Sequence, residues 1–192
     1  MKKKVRAIAI MVVFFVFVIG MYYWLSNRDE KEKEQVEIPE TKIEEILAKD
    51  LSSSDYPATP KTVLHLYSQM SKCFYDEDYT EEQYKELVAQ YRMLLDQELL
   101  VNNPSEDHID MLSAEIQSYD NADRFILVYY DAKDEEVQKY NVGGVEYATV
   151  PMTYCLKEGE TSVMNTEEEF ILRKDSEGKW KILGWRINSK EK

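Results

Sequence analysis

The residue types that most readily bind metals are few and scattered in this sequence. Zinc requires three or four converging ligands, yet the two histidines, His65 and His108, stand in no metal-binding motif. His65 falls on the polar side of a predicted helix, and His108 falls in the acid-rich first turn of another. We therefore interpret both histidines as solvated surface residues.

An acidic segment, DEDYTEEQY over residues 76–84, has part of the spacing of a calcium-binding loop. Asp76 and Asp78 match the first two ligand positions. However, Glu81 occupies the sixth position, where the loop requires glycine, and Leu87 occupies the twelfth, where it requires glutamate. Acidic residues are also favoured at helix N-termini by the helix dipole. We therefore expect no metal site and interpret the segment as the start of a helix.

Nucleophilic and cofactor chemistry also lack a motif. The six glycines form neither a phosphate-binding loop nor a dinucleotide-binding fingerprint, and no serine lies in a nucleophile elbow. Cys73 and Cys155 could form a disulfide in an extracytoplasmic setting, but two buried, reduced thiols are the preferred interpretation. We predict no catalytic residues and no cofactor, and a non-enzymatic role is the better interpretation.

The charge is unevenly distributed along the 192 residues. The net charge is −13, but residues 1–26 carry four basic residues and no acidic residue, which leaves −17 on residues 27–192. Phosphate groups would repel a body this acidic. Nucleic acid is therefore excluded as a partner.

The stretch KKKVRAIAIMVVFFVFVIGMYYWL over residues 2–25 predicts a membrane-spanning helix. Residues 7–25 hold no charge and would span roughly 28 Å as a helix, close to the thickness of the bilayer hydrocarbon. Tyr22, Tyr23 and Trp24 lie at the end of this segment, where aromatic rings favour the membrane interface. A cleaved signal peptide would have a shorter apolar region followed by small residues. No cysteine lies nearby for a lipoprotein anchor, so we expect the helix to be retained.

The basic residues of the tail, residues 1–6, favour a cytoplasmic N-terminus and an acidic domain outside the cell. We therefore predict a single-pass protein of the cell membrane that contacts the bilayer through residues 7–25. A domain kept inside the cell is the alternative. Residues 26–55 are interpreted as a charged stalk with one short helix. The folded domain is expected over residues 56–188, followed by a tail, residues 189–192.

Three amphipathic helices are predicted in the first half of the domain. The first covers residues 60–75 with Thr59 as its N-cap, the second follows Thr80, and the third is capped near Ser105. The apolar period then changes to that of β-strands. About four strands are predicted, over residues 124–130, 145–158, 161–174 and 179–187. This order predicts an α+β domain in which three helices pack on a curled antiparallel sheet.

Apolar residues occur on both faces of several predicted strands, which is unusual for a sheet that helices cover on one side. In the last strand Trp180 and Ile182 share one face, and the other carries Leu183, Trp185 and Ile187. One explanation is a partner on this second face, either a second copy of the chain or another cell-envelope protein. The other explanation is a strongly curled sheet that buries both faces itself.

The order of elements and the ending EGKWKILGWRIN resemble the nuclear transport factor 2-like cone fold, whose final hairpin often has a pattern similar to Asp175–Ile182. This similarity covers about residues 56–188. The segment over residues 56–104, beginning YPATPKTVLHLY, also resembles a family of membrane-anchored proteins of clostridial-type Gram-positive bacteria that has no assigned activity. The resemblances imply a cone-like domain and a bacterial cell-envelope setting, and they imply no catalytic residues.

A cone fold can hold a ligand between its helices and its sheet, and the fourteen tyrosines make this domain rich in phenol side chains. The residues that would line such a pocket are Tyr67, Tyr91, Tyr129 and Trp180. The sequence places no carboxylate or imidazole there. We therefore predict a non-catalytic interaction or accessory domain of the cell envelope. The alternative is a cone that binds a small ligand or acts as an isomerase or hydrolase.

Overall fold

The computed structural model describes residues 43–188, which form an α+β domain of five helices and five antiparallel strands. The helices are α1 (Ile43–Leu47), α2 (Pro60–Asp76), α3 (Glu81–Met93), α4 (Gln97–Asn102) and α5 (Ser105–Asn121). The strands are β1 (Arg124–Tyr130), β2 (Gln138–Val142), β3 (Val145–Glu158), β4 (Ser162–Lys174) and β5 (Trp180–Ile187). A 3₁₀ turn, Asp134–Glu136, lies between β1 and β2.

The predicted architecture of a transmembrane helix, three helices and about four strands was wrong. The described residues form five helices and five strands. Strand β2 was not predicted, because its sequence, QKYNV, has no apolar alternation. All five of its residues are exposed. No helix within residues 43–188 combines the length and the apolarity needed to cross a bilayer. The predicted span, residues 7–25, lies outside the described residues.

Two of the three predicted helix starts have a side-chain N-cap. Thr59 and Thr80 cap α2 and α3, and each forms a capping box with the third residue of its helix. The third helix, predicted to be capped near Ser105, begins at Ser105, and Pro104 occupies its N-cap position without a side-chain hydrogen bond. Proline fits there because its extended backbone conformation is compatible with the cap.

The hairpin between β2 and β3 turns at two glycines. Gly143 and Gly144 have φ angles of 60° and 89°. A type I′ two-residue turn requires positive φ at both positions, and glycine adopts it without steric cost. Paired glycines are therefore a hairpin signal. That signal accounts for the additional strand, since β2 lies immediately before the turn and pairs with β3.

The long strand β3 organises the sheet. Its residues 147–158 pair with β4. Its other edge is shared by β2, which pairs with residues 145–149, and β1, which pairs with residues 153–158. Pro151 lies in the gap between these two partners. A proline cannot donate a ladder hydrogen bond, so the gap lets β3 contain a proline even though the strand is central.

Two β-bulges change which residues share a face of the sheet. The register shifts leave Leu127 as the extra residue in β1 and Leu183 as the extra residue in β5. An extra residue breaks the two-residue alternation of a strand. In β5, Trp180, Ile182, Trp185 and Ile187 therefore share one face in the fold, although they alternate onto opposite faces in the sequence.

The helices cover one face of the sheet, which is called the inner face below. Helix α2 contacts β1, β3 and β5 from this side, and α1 packs on α2 and α3 with Ile43 and Ile46 buried. The buried residues of the inner face include Val150, Phe170, Leu172 and Ile182. This packing fills one part of the space between helices and sheet with core, and it leaves a second part open.

Candidate functional site

A cavity of about 420 Å³ lies between the helices and the inner face of the sheet. Residues of α2, α3 and α5 form one side, and residues of β3, β4 and β5 form the other. Met111, Trp185 and Ile187 line the cavity and are 64%, 46% and 63% exposed, so the cavity opens to solvent beside them. Six aromatic side chains line it: Tyr67, Tyr75, Tyr91, Tyr119, Tyr154 and Trp185.

Each long helix supplies its lining residues from one face. In α2, Tyr67, Ser71 and Tyr75 follow one another at four-residue intervals, which places them on a single stripe. Helix α5 supplies His108, Leu112, Glu115 and Tyr119 at intervals of three or four residues. The helical period therefore brings hydroxyl, carboxylate and imidazole groups to one space.

The bulge at Leu183 brings Trp185 to the cavity. Trp185 pairs with Phe170 across β4 and β5, with 5.7 Å between the ring centroids. Ile182, on the other side of the bulge, faces the core. Of the three residues predicted to form an association face, Trp185 and Ile187 thus lie on the inner face and line the cavity. Leu183 is half-buried at the bulge itself.

The aromatic walls are held by ring contacts and hydroxyl groups. Tyr67 stacks on Tyr91 with 4.7 Å between ring centroids, and Tyr75 stacks on Tyr119 at 4.4 Å. The hydroxyl groups of Tyr67 and Tyr91 also interact with each other. On β3, the hydroxyl of Tyr154 lies 2.8 Å from Ser68 Oγ. These contacts fix the walls, because stacked rings with bonded hydroxyls have little freedom to rotate.

Glu168 is the carboxyl group of the cavity wall whose proton affinity is altered. It lies on β4 two residues before Phe170, so strand alternation turns it to the inner face. Burial raises the pKa of Glu168 to about 7, and the carboxylate of Glu115 contributes to the same rise. At neutral pH, Glu168 is therefore poised between a proton donor and a proton acceptor.

Glu115 and His108 also have defined partners in the cavity wall. The carboxylate of Glu115 interacts with the Tyr75 hydroxyl, and burial and this carboxylate raise the pKa of Tyr75 above its usual value. Arg92 Nη1 donates to His108 Nδ1 over 2.8 Å. Burial, and next the charge of Arg92, lower the pKa of His108. Because arginine only donates, the neutral imidazole has its proton on Nε2 and keeps one donor for a further contact.

The chemistry available in this cavity is ligand binding with proton exchange. Within residues 43–188, no group of three or more histidine, cysteine or acidic side chains could hold a metal ion. The wall offers aromatic surface, the carboxylates of Glu115 and Glu168, and hydroxyl and imidazole donors. Such a combination can orient a small molecule and move a proton at Glu168.

The four residues predicted to line a pocket divide into two pairs. Tyr67 and Tyr91 line the cavity. Tyr129 and Trp180 lie elsewhere in the core, 1% and 4% exposed. Tyr129 contacts His65 at 5.8 Å between ring centroids. The cationic groups of Lys139 and Lys174 lie over the Trp180 ring.

The two cysteines are separate buried thiols in the structure, Cys73 on α2 and Cys155 on β3. Cys73 Sγ donates to Glu77 Oε1 over 3.6 Å. Burial, helped by the Glu77 carboxylate, raises the pKa of Cys73 to about 12. The reactive thiolate is therefore scarce at neutral pH, and Cys73 acts as a small core residue.

The two carboxylates and the histidine of the cavity were not predicted as lining residues, although the helix and strand periods place them there. In EEEFIL the strand period puts Glu168 in phase with the apolar Phe170. On α5, Glu115 lies three residues after Leu112 and therefore on its apolar stripe, and His108 lies four residues before Leu112. His108, expected on the surface, is half-buried in the cavity wall.

Comparison with known proteins identifies a family whose function is unknown. No curated protein matches the chain. Residues 1–185 match a family model described as a domain of unknown function, DUF6715. Because the match covers nearly the entire chain, this protein belongs to the DUF6715 family.

Proposed function

We propose that this domain binds a small organic molecule in the cavity between its helices and its sheet. The observation that carries the proposal is an open space of about 420 Å³ with Glu168 and the tyrosine hydroxyls in its wall. Known ligand sites have volumes of roughly 300–1,000 Å³, mainly apolar and aromatic walls and a few placed polar groups. The cavity has each of these properties.

The cavity also weakens the argument for the protein-interaction domain that the sequence favoured. Trp185 and Ile187 suggested a partner-binding face, but both line the cavity. The bulge at Leu183 supplies a reason for their position within a single chain. A homodimer stays a prediction, and the mass of the full-length protein in solution tests it, since a strict monomer would exclude it.

The proposed location is the outer side of the cell membrane. Its support is the basic tail and apolar segment of residues 1–25 and the acidic remainder of the sequence. Helices followed by an antiparallel sheet support a relationship to the nuclear transport factor 2-like cones. The resemblance of residues 56–104 to membrane-anchored proteins of clostridial-type bacteria supports a bacterial cell-envelope setting. Protease added to intact cells is expected to digest the domain, and a domain that survives until the cells are lysed would contradict this location.

A fragment screen by ligand-observed NMR tests the binding proposal. The probe is a mixture of neutral, cationic and anionic small molecules, added to the full-length protein. We expect some fragments to bind and at least about a tenfold loss of their affinity in Thr166→Phe, because Thr166 lines the cavity and the phenyl ring would fill it.

The matched control is Thr153→Phe. Thr153 is also half-buried, but it alternates with Met152 and Tyr154 and so lies on the outer face of β3. Its replacement is expected to leave fragment affinity unchanged. Absence of binding to the unaltered protein, or equal binding to Thr166→Phe, would overturn the proposed function.

Acid–base catalysis is a second candidate, and the pKa of about 7 for Glu168 favours it. General acids and bases work best when their pKa lies near the operating pH. Fragments that bind can be followed by NMR over hours for exchange of carbon-bound protons with deuterium. Catalysis would be supported if Glu168→Gln still binds these fragments but no longer exchanges their carbon-bound protons. Binding without any exchange would leave the domain a binding protein.

A further inference from the structure

The charge of the cavity wall indicates which class of ligand it favours. Among the described residues that line it, the acidic ones are Glu115 and Glu168, and none is lysine or arginine. Two arginines outside the lining contact residues of the wall: Arg92 donates to the His108 ring, and Arg124 lies over the Tyr119 ring and pairs with Glu158. An anionic ligand would therefore meet two carboxylates and no counterion in the wall.

The aromatic walls favour positive charge for an independent reason. The faces of tyrosine and tryptophan rings carry negative electrostatic potential and attract ammonium groups. Tyr75 and Tyr119 form one stacked pair, with 4.4 Å between centroids, and Tyr67 and Tyr91 form another. Trp185 lies opposite the helices, on β5, and is half exposed at the opening. Rings thus bound the cavity from both the helices and the sheet.

The two carboxylates are also close enough to influence one another. Burial and the charge of Glu115 together raise the pKa of Glu168. A positive group placed near both would relieve this repulsion. A metal ion fits less well, because the described residues contain no group of three metal-type ligands and the remaining walls are aromatic.

We infer that the cavity binds an organic ammonium ion, with the positive group near Glu115 and Glu168 and its carbon substituents against the aromatic walls. The inference rests on the proposed ligand-binding function and adds the charge of the ligand. A volume of about 420 Å³ accommodates an ammonium group together with a carbon chain or ring. The carboxylates determine the charge of the ligand, and the rings determine its apolar character.

Three probes of nearly equal shape separate charge from shape. Choline is the cation, 3,3-dimethylbutan-1-ol is its neutral isostere, and 3,3-dimethylbutanoate is the anion. Affinities are measured by NMR titration of the full-length protein at pH 8. We expect choline to bind at least about tenfold more tightly than the neutral alcohol, and the anion to bind more weakly than both.

The double variant Glu115→Gln/Glu168→Gln removes the charge of the wall and keeps its shape. We expect the ratio of choline affinity to alcohol affinity to fall to about one. The control is Glu98→Gln/Glu169→Gln, which changes the net charge equally at two carboxylates outside the cavity wall. It is expected to keep the preference for choline, which would show that the cavity and not the total charge of the protein selects the cation.

The outcomes distinguish this inference from the proposed function. If the alcohol binds as tightly as choline, the cavity binds small molecules but the inferred charge preference is wrong. If none of the three probes binds while other fragments do, the inference fails and the proposed function stands. If the fragment screen also finds no ligand, both fail. Equal choline preference in the double variant and in the unaltered protein would likewise overturn the inference.

Discussion

Replacement of Asp96 by alanine is expected to lower the free energy of unfolding by about 3 kcal/mol, because it leaves a charged arginine without its buried partner. Asp96 is 3% exposed and lies between α3 and α4. Arg173 Nε donates to Asp96 Oδ2 over 3.0 Å, and a second Arg173 nitrogen donates to Oδ1. The carboxylate also caps α4 by accepting from the backbone N–H of Glu98 over 2.9 Å.

The backbone and side chain of Asp96 together connect three parts of the fold. The backbone N–H of Asp96 donates to the Ile182 carbonyl over 2.8 Å, and the Ile182 N–H donates to the Leu94 carbonyl over 2.8 Å. The chain between α3 and α4 is therefore attached to the edge of β5, and Arg173 ties it to β4. The expected cost lies at the lower end for a buried pair, because Arg173 is 27% exposed and keeps Glu98 as a partner.

Urea unfolding at pH 7 measures the effect, and the melting temperature is expected to fall by roughly 6–12 °C for a chain of this length. Glu98→Ala is the matched control. It removes the exposed partner of the same arginine, at 3.3 Å, and is expected to change stability by less than about 0.5 kcal/mol. A loss below about 1 kcal/mol in Asp96→Ala would show that the buried pair does not hold these elements together.

The parts of the fold that the sequence predicted are those determined by local chemistry. Thr59 and Thr80 mark helix starts because their side chains bond to nearby backbone N–H groups, a short-range interaction that the sequence shows directly. The bulges at Leu127 and Leu183 could not be predicted, because a bulge is defined by the register of a strand against its partner. One inserted residue in β5 was enough to move Trp185 from a supposed outer face to the cavity.

The candidate site likewise has residues that the sequence could predict and residues that it could not. Tyr67 and Tyr91 were predictable because their helical period places them toward the sheet. The strand period also places Glu168 on the same face as Phe170. However, glutamate on a strand is usually solvated, so the residue type indicated an exposed side chain. Its burial results from the surrounding elements: Met152 on β3 and Ile187 on β5 are its neighbours across the sheet. The altered proton affinity is thus a tertiary property.

Replacement of Glu168 by glutamine is expected to stabilise the protein at high pH and to have little effect at low pH. Burial raises the pKa of Glu168 from 4.5 to about 7, so the folded state holds this proton more tightly than the unfolded state does. The resulting stabilisation is fully present below pH 4.5 and is lost as the pH rises through 7. Glutamine cannot ionise and therefore avoids this loss.

The expected gain for Glu168→Gln is about 1–2 kcal/mol at pH 8.5, an estimate reduced from the full pKa difference because the cavity admits solvent. Of the groups around Glu168, the Glu115 carboxylate is retained in the variant. Burial raises the pKa values of Tyr67, Tyr91 and Tyr154 above the tested range. The change in unfolding free energy between variant and original at pH 4 and at pH 8.5 therefore reports on position 168.

Glu169→Gln is the control for this comparison, because Glu169 is the next residue of β4, lies on the outer face and pairs with Arg186. It is expected to give no gain at pH 8.5, since it removes an ion pair at the surface. A carboxylate that destabilises the folded protein at neutral pH is more readily explained by a functional role than by a structural one. An equal effect of Glu168→Gln at both pH values would show that Glu168 ionises as an ordinary glutamate, and it would remove the main support for proton chemistry in the cavity.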